Sequence, residues 1–89
     1  MKSRVMIEKC LNRIEQIDQL IRQKATGSPR QLTIKIGLSE RMIYEYLDSM
    51  REWGAPIEFS TILQSYCYTY EVEFSFGFVK SEKIFPTAI

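Results

Sequence analysis

Apolar and polar positions follow two different rhythms along this chain. In the first part, Ile7, Cys10, Leu11, Ile14, Ile17, Leu20 and Ile21 recur at spacings of three and four, the period of one helix face. Glu8, Arg13, Glu15, Asp18, Arg22 and Lys24 fall largely on the other side. No Gly or Pro interrupts residues 1–25, so one helix is predicted over 4–25, with Gly27 as its C-terminal cap. A short second helix is predicted over 28–36. Ser28 suits its N-cap, and Pro29 suits the first helical position, where a missing N–H costs nothing. Leu32, Ile34 and Ile36 supply its apolar contacts, and Gly37 ends it. A third helix is predicted over 39–53, with Ser39 as cap and Glu40 in the first turn, where a carboxylate favours the helix dipole. Ile43, Leu47 and Met50 form its inward stripe, continued by Trp53, and Gly54 and Pro56 stop it.

The rhythm then changes to two. From Tyr66 to Phe78 every second residue is apolar: Tyr66, Tyr68, Tyr70, Val72, Phe74, Phe76 and Phe78. Cys67, Thr69, Glu71, Glu73, Ser75 and Gly77 stand between them. Strict alternation is a strand signal. With Ile57-Glu58-Phe59 ahead of it, the run predicts a hairpin over 57–79 whose second strand far exceeds the usual ~5–6 residues. Residues 80–89 read as an irregular tail, and there is no internal repeat. The expected fold is a single α+β, mainly α domain over residues 1–79: three helices, then a hairpin with an extended C-terminal strand.

Composition narrows the functional classes. At 89 residues and 45% hydrophobic, the chain has room for one domain with a modest core. Twelve Lys and Arg against eleven Asp and Glu give a net charge of +1, so nothing draws the whole molecule toward nucleic acid. DNA binding has to come from local clustering. The chain has no His, which removes the usual general base and the commonest zinc ligand. Paired carboxylates in an obvious cleft and a glycine-rich phosphate loop are also missing, so an enzyme is not expected. No cofactor, metal site or small-molecule effector is predicted. Cys10 and Cys67 sit in apolar-periodic segments and read as small buried hydrophobes rather than a disulfide, which fits a reducing cytoplasm. The N-terminal segment has no uninterrupted apolar run, and no window approaches the ~18 apolar residues of a membrane span. A cytoplasmic protein with no membrane partner is expected.

One ordered set of residues resembles a known family. Gly27-Ser28-Pro29 opens a short helix, and Ile36-Gly37-Leu38-Ser39 makes a turn. Ser39-Glu40-Arg41-x-Ile43-Tyr44-x-x-Leu47 opens the next helix, and Gly54-Ala55-Pro56-Ile57 leads into a strand. This resembles the bacterial winged helix-turn-helix domains of the DeoR-like and biotin-repressor-like type, over roughly residues 10–70. The resemblance implies duplex-DNA binding, with the third helix in the major groove and the hairpin wing against the backbone or minor groove.

Helical geometry agrees with that placement. At ~100° per residue, Arg41, Tyr44, Glu45 and Asp48 share one face of the third helix, opposite Ile43, Leu47 and Met50. Arg41 suits a guanine or a phosphate, and Tyr44 suits a phosphate or sugar. Ser28 and Ser39 are caps first, and the helix ends they cap present N–H groups to phosphate. Arg30, Gln31 and Lys35 are candidate backbone contacts. The expected DNA-binding set is therefore Ser28, Arg30, Gln31, Lys35, Ser39, Glu40, Arg41, Tyr44 and Glu45. Each has a plainer role beside it: Arg41, Arg30 and Lys35 as solvated charges, Tyr44 as a cover for the rim of the core.

The chain also departs from the family pattern. Met42 stands where a Thr is common, Glu45 where a basic or small polar residue is usual, and Tyr46 where Asp or Asn is usual. The hairpin tip, Thr61-Ile62-Leu63-Gln64-Ser65, has no Lys or Arg. Ile62 and Leu63 there look more like a protein contact. Val72, Phe74, Phe76 and Phe78 are expected to run past the body of the domain, where an uncovered apolar ribbon is disfavoured. They predict a homodimer through the C-terminal strand. The alternative is a tail folded back on the first helix of its own chain. Two functions follow: a sequence-specific DNA-binding regulator acting as a homodimer, or a winged-helix protein-interaction module that has lost DNA binding.

Overall fold

The computed structural model describes residues 2–75 of the chain. Three helices and one antiparallel hairpin make a small α+β fold: α1 (Lys2–Arg22), α2 (Pro29–Ile36), α3 (Glu40–Glu52), β1 (Ile57–Ser60) and β2 (Ser65–Tyr68). The strands pair Ile57 with Tyr68, Glu58 with Cys67, Phe59 with Tyr66 and Ser60 with Ser65.

The core gathers one face from every element. Ile14, Ile17 and Ile21 of α1 meet Leu32 of α2, Ile43, Tyr46, Leu47 and Met50 of α3, and Ile57 and Tyr66 of the hairpin. Each such side chain contributes roughly 1.5–3 kcal/mol when fully buried. Phe59 and Tyr66 add an edge-to-face pair with centroids 5.1 Å apart. Tyr46 is a core residue that the stripe of Ile43, Leu47 and Met50 did not announce. Burial and the neighbouring Cys10 push its hydroxyl pKa up.

The helix ends are set by local chemistry. Ser28 and Gln31 form a reciprocal capping box: Gln31 N–H donates to Ser28 Oγ over 3.2 Å, and Ser28 N–H donates to Gln31 Oε1 over 2.8 Å. Met42 N–H donates to Ser39 Oγ over 3.2 Å at the start of α3. Gly37, at φ 86, closes α2 in the left-handed conformation that a side chain disfavours.

Helix α1 stops at Arg22 rather than running to residue 25, and Gly27 is not its cap. Lys24 holds the left-handed position instead, at φ 55. Its N–H bonds the Ile21 carbonyl over 3.0 Å, and the Ala25 N–H bonds that of Leu20 over 2.8 Å, the two bonds of a Schellman end. Gly27 lies beyond, at φ 70, where an added Cβ would collide with the Gln31 side chain of the capping box.

Several apolar positions are less covered than their period implies. Ile7 and Cys10 are exposed, and Cys67 is half-buried. Ile34 points outward from α2, and Trp53 is 63% exposed rather than part of the α3 stripe. The extended strand is also shorter than expected. Strand β2 ends at Tyr68 although the alternation continues. A ladder needs a partner, and β1 offers only the four residues that follow Pro56. One further bond, from Thr69 N–H to the Pro56 carbonyl over 2.8 Å, closes the pairing. Tyr70 is consequently exposed. Val72 and Phe74 do not run past the body of the domain: both are half-buried, and Phe74 packs against the core of its own chain. Phe76 and Phe78 lie outside the described residues.

Two polar networks tie the hairpin to α1 and to the loop after it. Buried Thr26 and Ser65 form the first. Thr26 N–H donates to Ser65 Oγ over 3.1 Å, and Tyr66 N–H donates to Thr26 Oγ1 over 2.8 Å. The hydroxyls in turn donate to the Gly27 and Tyr66 carbonyls, both over 2.9 Å. The two hydroxyls lie 3.0 Å apart, and each also accepts one backbone N–H that would otherwise be buried unpaired. The second network centres on Asp18, a buried carboxylate. It accepts from Arg22 Nε at 3.0 and 3.1 Å and from the Tyr68 hydroxyl at 2.6 Å. Arg22 also lies 5.6 Å from the Tyr68 ring centroid and donates to the Val72 carbonyl.

Candidate nucleic-acid interface

Helix α3 separates its two faces cleanly. Ile43, Tyr46, Leu47 and Met50 point inward, while Glu40, Arg41, Glu45 and Asp48 are exposed. Tyr44 is 43% exposed. Burial, and then the neighbouring Tyr44, push the Tyr66 hydroxyl pKa up. Tyr44 thus stands at the border of the outer face and the rim of the core.

The charges on that outer face are paired along the helix. Arg41 Nε lies 3.4 Å from Glu45 Oε2, with side-chain exposures of 88% and 58%. Asp48 accepts from Arg51 Nη1 at 3.2 Å, and Arg51 Nε donates to the Ile57 carbonyl at 3.2 Å. The Asp48 pair is therefore anchored to the hairpin. The Arg41 pair makes no further hydrogen bond among the described residues. Glu40 sits in the first turn, where the helix dipole offsets its charge.

The predicted contacts on α2 are divided. Arg30 is exposed and makes no side-chain bond among the described residues. Gln31 and Ser28 are occupied with each other in the capping box. Lys35 Nζ donates to the Ala25 carbonyl beyond the end of α1, so its ammonium is partly committed to the fold. Ser39 is likewise engaged as the α3 cap. The groups free to meet a ligand are thus Arg30, Glu40, Arg41 and Glu45, with Tyr44 at the edge. The hairpin tip adds no cation, and its Ile62 is 91% exposed.

Thr26, Ser65 and the Asp18–Arg22–Tyr68 cluster escaped sequence reasoning, although they tie the hairpin to α1 and to the loop after it. The Asp18–Arg22 spacing of four was readable as a helix pair. Nothing local announced that Tyr68, 50 positions away, would complete it. No metal-binding cluster of His, Cys, Asp or Glu occurs among the described residues. No helix among them is long and apolar enough to cross a membrane. No family model, curated protein or solved structure matches this chain.

Proposed function

We propose that the chain is a winged helix-turn-helix protein that binds duplex DNA sequence-specifically, as a small transcriptional regulator. In this reading α3 lies in the major groove and the β1–β2 hairpin is the wing. One observation carries it. The two helices joined by the Gly37 turn bury one face in a common core, and the second of them leaves Arg41, Tyr44 and Glu45 facing outward. A helix held this way by its neighbours is the element that a major groove admits.

Arg41 has the donor fork for guanine O6 and N7 or for a phosphate. Arg30, one helix earlier, suits the flanking backbone. The net charge of +1 makes a single copy a weak binder, and a homodimer doubles the phosphate contacts. With Phe74 packed on its own chain, dimerisation rests on the apolar Phe76 and Phe78 of the sequence alone, and it predicts sedimentation of the full chain at twice its own mass. A monomeric mass at DNA-binding concentrations contradicts the dimer. On a selected duplex, replacing Arg41 with Ala should weaken binding by about 1–3 kcal/mol if it reads a base. Titration of a labelled site by fluorescence anisotropy measures this, and an unchanged Kd removes Arg41 from the interface.

A protein-interaction module is the second reading. It is favoured by the exposed Ile62 and Leu63 at a cation-free tip.

A further inference from the structure

We infer that Arg41 and Glu45 act together as one base-reading unit that selects a G·C pair, with Glu45 as the residue that sets specificity. This rests on the proposed placement of α3 in the major groove. It adds which base pair is chosen and by which side chains.

The first support is the state of each polar group on the outer face. Asp48 is held by Arg51, which is itself held by the Ile57 carbonyl. Ser39 is spent on capping. Arg41 and Glu45 hold only each other, at 3.4 Å, and both are largely solvent-exposed. They can therefore exchange partners without disturbing the fold. An exposed pair of this kind is worth little in itself, so breaking it costs little.

The second support is chemical. An ionised carboxylate only accepts hydrogen bonds, and a guanidinium only donates. In the major groove the donors are the amino groups of cytosine and adenine, while guanine offers two adjacent acceptors, N7 and O6. A G·C pair therefore presents acceptor, acceptor and donor in a row. Arg41 matches the first two and Glu45 matches the third. An A·T pair places its donor between two separated acceptors, so Arg41 loses its bidentate partner. A thymine opposite Glu45 leaves a desolvated carboxylate without any donor. Glu45 thus acts largely by rejection, since an unpaired buried charge is costly. Its spacing of four from Arg41 keeps the two heads side by side on one helix face.

The test is selection from random-sequence duplexes with the full chain and with Glu45→Gln and Glu45→Ala, all checked for unchanged thermal unfolding. The wild type should fix a G·C pair and prefer cytosine over thymine under Glu45 roughly tenfold or more. Glu45→Gln should move that position toward adenine, the usual partner of a glutamine amide. Glu45→Ala should lose the preference there and bind random duplex more tightly at low salt. If wild type and both variants select the same base at every position, Glu45 does not read sequence and the inference is overturned, while the DNA-binding reading stands. If the wild type binds no duplex even at low salt, both fall together.

Discussion

Thr26 and Ser65 lie 39 positions apart in sequence, yet their hydroxyls satisfy the backbone of Thr26 and Tyr66 inside the fold. Removing the Thr26 hydroxyl leaves the Tyr66 N–H buried and unpaired. The expected cost of Thr26→Ala is about 1–3 kcal/mol, read from the urea midpoint, and an unchanged midpoint contradicts this role. Tyr68 makes a prediction in pH. Burial first, and then its bond to Asp18, push its hydroxyl well above the ordinary value of 10.0. A raised folded-state pKa means that the neutral form is favoured on folding. Its stabilisation is fully present below about pH 10 and is lost as pH rises toward the folded value. Denaturation at increasing alkaline pH should show that loss, and Tyr68→Phe should flatten it in part. Tyr46 and Tyr66, also shifted upward, supply the rest. At this scale, what the sequence disclosed was local. Ser28, Pro29 and Ser39 announced helix starts because capping involves residues within one turn. Thr26 falls between the first two predicted helices, and nothing within a turn of it reveals a hydroxyl partner 39 positions away.

Elements were legible wherever a period and a cover coincide. Helix α2 and helix α3 lie within a residue of their predicted ends because Ser28, Gly37, Ser39 and Gly54 mark them. Helix α1 kept its periodicity but not its cover. Its 21 residues span roughly 32 Å at 1.5 Å each, far more than the shorter α2 and α3 can shield. Ile7 and Cys10, toward its N-terminal end, therefore stand exposed. The long alternation after Ser65 failed as a strand for a related reason. Alternation describes one chain, whereas a ladder is made by two, and β1 ends the pairing at Ile57. Tyr66 and Tyr68 find cover inside the ladder, Tyr70 does not, and Phe74 finds it against the core beyond the end of the ladder. Arg22 bonds the Val72 carbonyl in the same segment. The candidate site was legible as a face of α3 because a core stripe defines its own opposite. The internal pairing of Arg41 with Glu45 and the commitment of Lys35 to Ala25 depend on where side chains settle, which spacing alone does not fix.

For the molecule as a whole, charge is the deciding property. A chain with net charge of +1 and a self-paired outer helix gains no long-range attraction from its bulk. On the proposed reading, binding to duplex comes from a few released counterions per copy. Among the described residues, Arg30 and Arg41 are the free cations on this face, and Lys35 joins them only by leaving the Ala25 carbonyl, at ~0.9 in slope for each phosphate neutralised. Titrating the full chain onto a random-sequence duplex across a salt series measures this directly. The account predicts binding near 20 mM salt, on the order of the conditions where such contacts dominate. Log Kobs should then fall against log salt with a slope of about −2 to −3 per protomer. No binding at the lowest salt would contradict the central claim that α3 is a DNA-reading helix.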